Sequence, residues 1–139
     1  MFWSRKKDAI AAETIAGQVG VAAEELYRCG KLHCAEAVLK AVKDRFCPDL
    51  PEEVIGLASG FGGGSGSGCL CGAVSGGTLA FALVLQDDRK KVMKLTRELH
   101  VWFHEQYGST CCRVIRDKDK GVCPDLTGKV AGKVAALLS

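Results

Sequence analysis

Residues 69–85 carry no charge and follow directly on a run of glycines, so the chain must hide this stretch from water. The stretch is shorter than the roughly 20 residues of a typical membrane span and contains Gly72, Gly76 and Gly77. It is therefore expected as a buried central helix over about residues 69–86, with no membrane span. Each internal glycine costs a helix up to about 1 kcal/mol relative to alanine. Gly72, Gly76 and Ala80 line one stripe of this helix, with Ala73 and Gly77 beside it. Such a stripe lets another backbone, a cofactor or a second copy of the chain approach, so a homodimer is one expectation.

Helical spacing recurs on both sides of this segment. Ile10, Ile15, Val19, Ala22, Ala23, Leu26 and Tyr27 share a face, with Gly17 and Gly20 as weak points and Gly30 as a C-terminal stop. A second helix is expected over residues 31–45, with Ala35, Val38, Leu39 and Val42 inward, and a short third over residues 51–59. Residues 88–107 carry an amphipathic stripe of Val92, Leu95, Leu99, Trp102 and Phe103. A turn follows Gly108, and a last helix covers residues 124–138. No segment reads as a strand. The expected fold is all-α: a compact single-domain bundle of about five or six helices over residues 1–139, with a glycine-rich loop before the central apolar helix. Residues 1–8 read as a frayed terminus. A chain of 139 residues buries roughly two-thirds of its unfolded surface, so an apolar core suffices without disulfide staples.

The loop Gly60-Phe61-Gly62-Gly63-Gly64-Ser65-Gly66-Ser67-Gly68 has two readings. One is a flexible linker. The other, favoured here because neither flank makes a comfortable domain, is a backbone passing close to something with φ values that glycine tolerates. The loop has no Lys-Ser/Thr ending for phosphate.

Eight cysteines then set the chemistry: Cys29, Cys34, Cys47, Cys69, Cys71, Cys111, Cys112 and Cys123. Most are expected at helix starts, where free N–H groups and the helix dipole favour the thiolate. Cys47-Pro48-Asp49-Leu50 and Cys123-Pro124-Asp125-Leu126 repeat the same four residues, and proline and aspartate favour a first turn, so both cysteines are placed at helix starts. If the ends carrying Cys34, Cys69, Cys71, Cys111, Cys112 and Cys123 converge, the repulsion between thiolates is removed by a metal, an iron–sulfur cluster or oxidation. Spacing alone leaves these open. There are no paired C-x-x-C knuckles, no ferredoxin run and no C-x-x-C-H. On a helix Cys69 and Cys71 point apart, so both face one centre only if the backbone at Cys69 is not yet helical.

Other chemistries have little support. His100 and His104 have i, i+4 spacing without an intervening glutamate and read as surface or boundary residues. His33 stands beside Cys34 and can tune it. The net charge of +3 is small and no basic stripe interleaves with aromatics, which argues against a nucleic-acid partner. The first residues lack the apolar core of a signal peptide, so a cytoplasmic location is expected, where thiols stay reduced.

Cys71-Gly72-Ala73-Val74-Ser75-Gly76, with Cys34-Ala35-Glu36-Ala37-Val38 before it and Tyr107-Gly108-Ser109-Thr110-Cys111-Cys112-Arg113 and Cys123-Pro124 after it, resembles the C-GCAxxG-C-C family. That family's redox role is inferred mainly from its cysteines. The resemblance covers about residues 27–138 and implies a small helical redox protein whose four characteristic cysteines fall on Cys34, Cys71, Cys112 and Cys123. The expected function is redox-active metal binding, through an iron–sulfur cluster used for electron transfer with a redox partner protein. Cys69, Cys111, Cys29 and Cys47 are added candidate ligands. Gly68 and Gly72 are the positions where backbone approaches the cofactor. The alternative is a metal-free thiol–disulfide oxidoreductase or sensor with Cys71 as nucleophile and Cys34 or Cys112 resolving; a structural zinc protein is a third.

Overall fold

The computed structural model describes residues 14–139; Ile10 and the terminus expected to fray lie outside the described residues. Thr14 opens the first helix, its hydroxyl accepting the Gly17 N–H at 3.0 Å. The α-helices are α1 (Ile15–Arg28), α2 (Cys34–Phe46), α3 (Gly72–Leu85), α4 (Arg89–Tyr107), α5 (Cys112–Lys118) and α6 (Cys123–Leu138). A 3₁₀ segment, Glu52–Ala58, and a single π turn, Gly64–Gly68, lie between α2 and α3. The described residues form no β-strand, only one isolated bridge between Leu70 and Cys111. The all-α expectation holds. The described residues contain eight helical segments, more than the five or six expected. The additions are α5, too short to show an apolar period, and the π turn inside the glycine loop.

α1 lies along α6, α2 packs on α3, and α3 also meets α4 and α6. Val38, Val42, Val74, Phe81, Leu99, Phe103, Val130 and Val134 are fully buried where these helices meet. The small-residue stripe of α3 is taken up within the chain: a Cβ added at Gly76 would run into the backbone carbonyl of Ala35 on α2. Burial of α3 is complete only from Gly72 to Gly77 and at Ala80 and Phe81; Ala82 is exposed and Leu83, Val84 and Leu85 are half-buried. The helix thus runs beyond its neighbours' cover at its C-terminal end, which corrects the picture of a fully hidden segment.

One boundary differs from expectation in a way that matters for sulfur. Cys47 closes α2 instead of opening a helix. Pro48 disfavours helical backbone at the residue before it, and the next helical turn starts only after Pro51. By contrast Cys123 does open α6, with Pro124 in the first turn.

Candidate functional site

Four helices begin around one space. Cys34 is the first residue of α2, Cys71 the N-cap of α3, Cys112 the first residue of α5 and Cys123 the first of α6. All four line a single cavity of about 440 Å³, together with Tyr27, His33, Arg116 and Thr127. Helix starts leave N–H groups unpaired, and these face the sulfurs. The N–H groups of Ala35 and Gly63 favour the Cys34 thiolate, and those of Ala73 and Val74 favour that of Cys71.

A short antiparallel contact fixes Cys71 relative to Cys112. The Cys71 N–H donates to the Thr110 carbonyl at 2.8 Å, and the Cys112 N–H donates to the Cys69 carbonyl. The backbone is not yet helical at Cys69, as the spacing required for a shared centre. Even so, Cys69 remains exposed and lies outside the cavity wall.

The glycine loop wraps the thiols. A Cβ at Gly72 would sit 2.5 Å from Cys34 Sγ and 2.7 Å from the Phe61 carbonyl oxygen. One at Gly64, whose φ is +66°, would sit 2.7 Å from Cys112 Cβ. The close-approach reading of the loop therefore holds, and the flexible-linker reading does not.

Burial dominates the electrostatics. It pushes Cys71 up to about 12, with the nearby Cys34 sulfur adding to it. Burial also raises Cys34 and Cys112, outweighing the N–H groups at the first and the Arg116 guanidinium at the second. Tyr27 rises to about 12 through burial and then through the neighbouring Cys123 thiol. The Thr127 residue is fully buried in the cavity wall, and its hydroxyl oxygen has no hydrogen-bond partner among the described residues. All eight cysteines are free thiols. Among the described residues no group of three or more His, Cys, Asp or Glu side chains is placed to hold a metal ion.

The remaining sequence-predicted positions fall elsewhere. Cys29 is exposed at the C-cap of α1, its thiol donating to the Leu26 carbonyl at 3.4 Å. Cys47 is half-buried at the end of α2. The Cys111 thiol donates to the Gly68 carbonyl at 3.3 Å. Gly72 lines the thiol cavity, whereas Gly68 lines a neighbouring one. His33 lines the thiol cavity, as its place beside Cys34 suggests. His100 is half-buried and His104 exposed, in keeping with the boundary reading. Sequence reasoning missed Arg116, Tyr27 and Thr127. Arg116 was legible in principle, four residues after Cys112 on one helix face; Tyr27 and Thr127 carry no local signal.

The model of the family described as "Putative redox-active protein (C_GCAxxG_C_C)" matches residues 32–137. The chain belongs to this family. No curated protein and no solved structure matches it. The four cysteines that wall the cavity, Cys34, Cys71, Cys112 and Cys123, all lie within the matched residues. One departure is visible: the family name spells glycine before cysteine, and here Cys71 precedes Gly72. Among the described residues no helix is long and apolar enough to cross a membrane.

Proposed function

We propose that the four-thiol cavity holds an iron–sulfur cluster and that the protein transfers electrons to and from a partner protein. The observation that carries this reading is the convergence of Cys34, Cys71, Cys112 and Cys123, from four separate helix starts, on one cavity. A lone tetrahedral ion needs its sulfurs about 2.3 Å away, and among the described residues no three donors are placed for one. A cluster spreads its cysteines over several irons, which suits thiols arranged around a space. The cluster, when bound, supplies reversible electron uptake and release. Bare-thiol catalysis needs a thiolate near neutral pH, and burial keeps Cys71 protonated there.

The chain's own residues have defined parts. The four cysteines bind. Backbone N–H groups of Ala35, Gly63, Ala73 and Val74 face the sulfurs and favour the reduced state. Ile115 and Leu126 keep water from the wall. The Thr127 hydroxyl is free to donate to a bound group. Residence in a reducing compartment such as the cytoplasm fits eight free thiols.

Single Cys→Ser substitutions at Cys34, Cys71, Cys112 and Cys123 test the assignment after anaerobic reconstitution with iron and sulfide. Each is expected to lower iron content sharply, while Cys29→Ser and Cys47→Ser retain it. Equal retention in all six variants contradicts the proposal. A metal-free thiol–disulfide role has one observation in its favour: the Cys112 N–H donates to the Cys69 carbonyl, so an exposed and a buried cysteine are neighbours across the contact. Reversible loss of two thiols on mild oxidation, in iron-free protein, marks that reading.

A further inference from the structure

A second cavity of about 410 Å³ lies against the first and shares Gly63, Cys112 and Arg116 with it. Its remaining walls are Gly68, Arg113, Asp117 and Lys120. Three cations and one carboxylate therefore face one space. None of the four is in an ion pair with any described residue. Arg113 and Arg116 stand three apart on α5, and Lys120 follows four residues after Arg116. On a helix like charges three apart repel when nothing lies between them, which applies to Arg113 and Arg116; Lys120 lies past the end of α5. The guanidinium of Arg113 is held in place, its Nη2 donating to the Ser67 carbonyl at 3.1 Å. Gly68, with φ +73°, leaves room for it: an added Cβ would lie 3.1 Å from that guanidinium.

We propose that this second cavity is a binding site for a small polyanion, such as a phosphorylated or polycarboxylate molecule, held by Arg113, Arg116 and Lys120 beside Cys112. Guanidinium groups suit such ligands because they present paired N–H donors to carboxylate or phosphate oxygens. The concave shape and the volume favour a small molecule over the flat acidic face of a protein. Asp117 opposes the three cations, leaving a net charge of +2 (3 − 1) on the walls and selecting against weakly charged ligands. Arg116 belongs to both cavities, so an anion bound here sits one side chain from the proposed redox centre. The binding itself does not require that the first cavity hold a cluster.

The test is isothermal titration of the purified full-length protein with inorganic phosphate and with citrate, iron content being measured on the same sample. Citrate is expected to bind more tightly than phosphate. Arg113→Gln and Lys120→Gln are each expected to weaken binding about two- to fivefold, the range for one exposed charge contact, and the double variant by more. Lys90→Gln, a cation on α4 outside this cavity, is the control and is expected to leave affinity unchanged. Binding of neither anion overturns the proposal, as does equal weakening by Lys90→Gln. Binding of a hexaglutamate peptide without binding of either small anion overturns it in favour of an acidic protein partner. Anion binding by an iron-free sample keeps this site while counting against the cluster; iron without anion binding does the reverse.

Discussion

Replacing Gly72 with alanine isolates the close contact on which the cavity depends. Gly72 is the first residue of α3, and its backbone is helical, so alanine gains up to about 1 kcal/mol in helix propensity. Against this, the new Cβ would lie 2.5 Å from Cys34 Sγ, 2.7 Å from the Phe61 carbonyl oxygen and 3.4 Å from Gly62 Cα. Non-bonded heavy atoms rest at about 3.5–4.0 Å, so the sulfur must retreat by about 1 Å. The Phe61 carbonyl is backbone and cannot yield without moving the glycine loop. Overpacking of this kind costs about 1–3 kcal/mol. The expected net result is a loss of about 1 kcal/mol, or a few degrees in Tm, with a larger loss of iron uptake because Cys34 is displaced. Thermal and urea unfolding measure the first, and iron content after reconstitution measures the second. Gly56→Ala is the control, since no atom lies within 4 Å of its added Cβ. A Gly72→Ala protein as stable as the wild type and loading iron equally well would refute the reasoning.

Gly72→Cys, which restores cysteine at the position the family name gives it, is expected to cross-link to Cys34 on mild oxidation. The predicted Cβ already lies close to that sulfur, and peptide mapping by mass spectrometry reads the bond; absence of a Cys34 cross-link contradicts the placement. Tyr107→Phe is expected to keep or raise stability. Its hydroxyl is buried with no partner among the described residues, an arrangement costing about 1–3 kcal/mol, while the ring contact with Phe103 at 4.7 Å survives. A loss in urea unfolding would show that the hydroxyl is bonded in solution. Metal-free protein is expected to lose stability as pH rises from about 9 to about 12. Cys71 is held above its ordinary 9.0 up to about 12, so its contribution is complete below pH 9 and disappears as pH rises through 12. Urea midpoints that stay level across that window contradict the burial of this thiol.

The helices were legible where an apolar stripe repeats, as along α4, whose Leu95, Leu99 and Phe103 are buried as the spacing required. α5 was not, because its seven residues include Arg113, Arg116 and Lys118 and bury only Cys112 and Ile115. Cys34, Cys71, Cys112 and Cys123 were expected together and do wall one cavity, but the repeat around Cys47 was misleading. Cys-Pro-Asp-Leu specifies a helix start only when the preceding chain is not already helical, and α2 runs up to Cys47. Cys29 and Cys47 have the right chemistry and the wrong end of a helix, which spacing does not reveal. Tyr27 and Thr127 reach the cavity only because α1 and α6 lie side by side, a tertiary fact with no local trace.

Iron and acid-labile sulfide, measured on protein purified without oxygen and read beside its visible absorption, address the central claim most directly. The account predicts a brown protein with both elements present in more than one atom per chain, and their loss when Cys34, Cys71, Cys112 and Cys123 are replaced together. A colourless wild-type protein that stays free of iron and sulfide after reconstitution would contradict it.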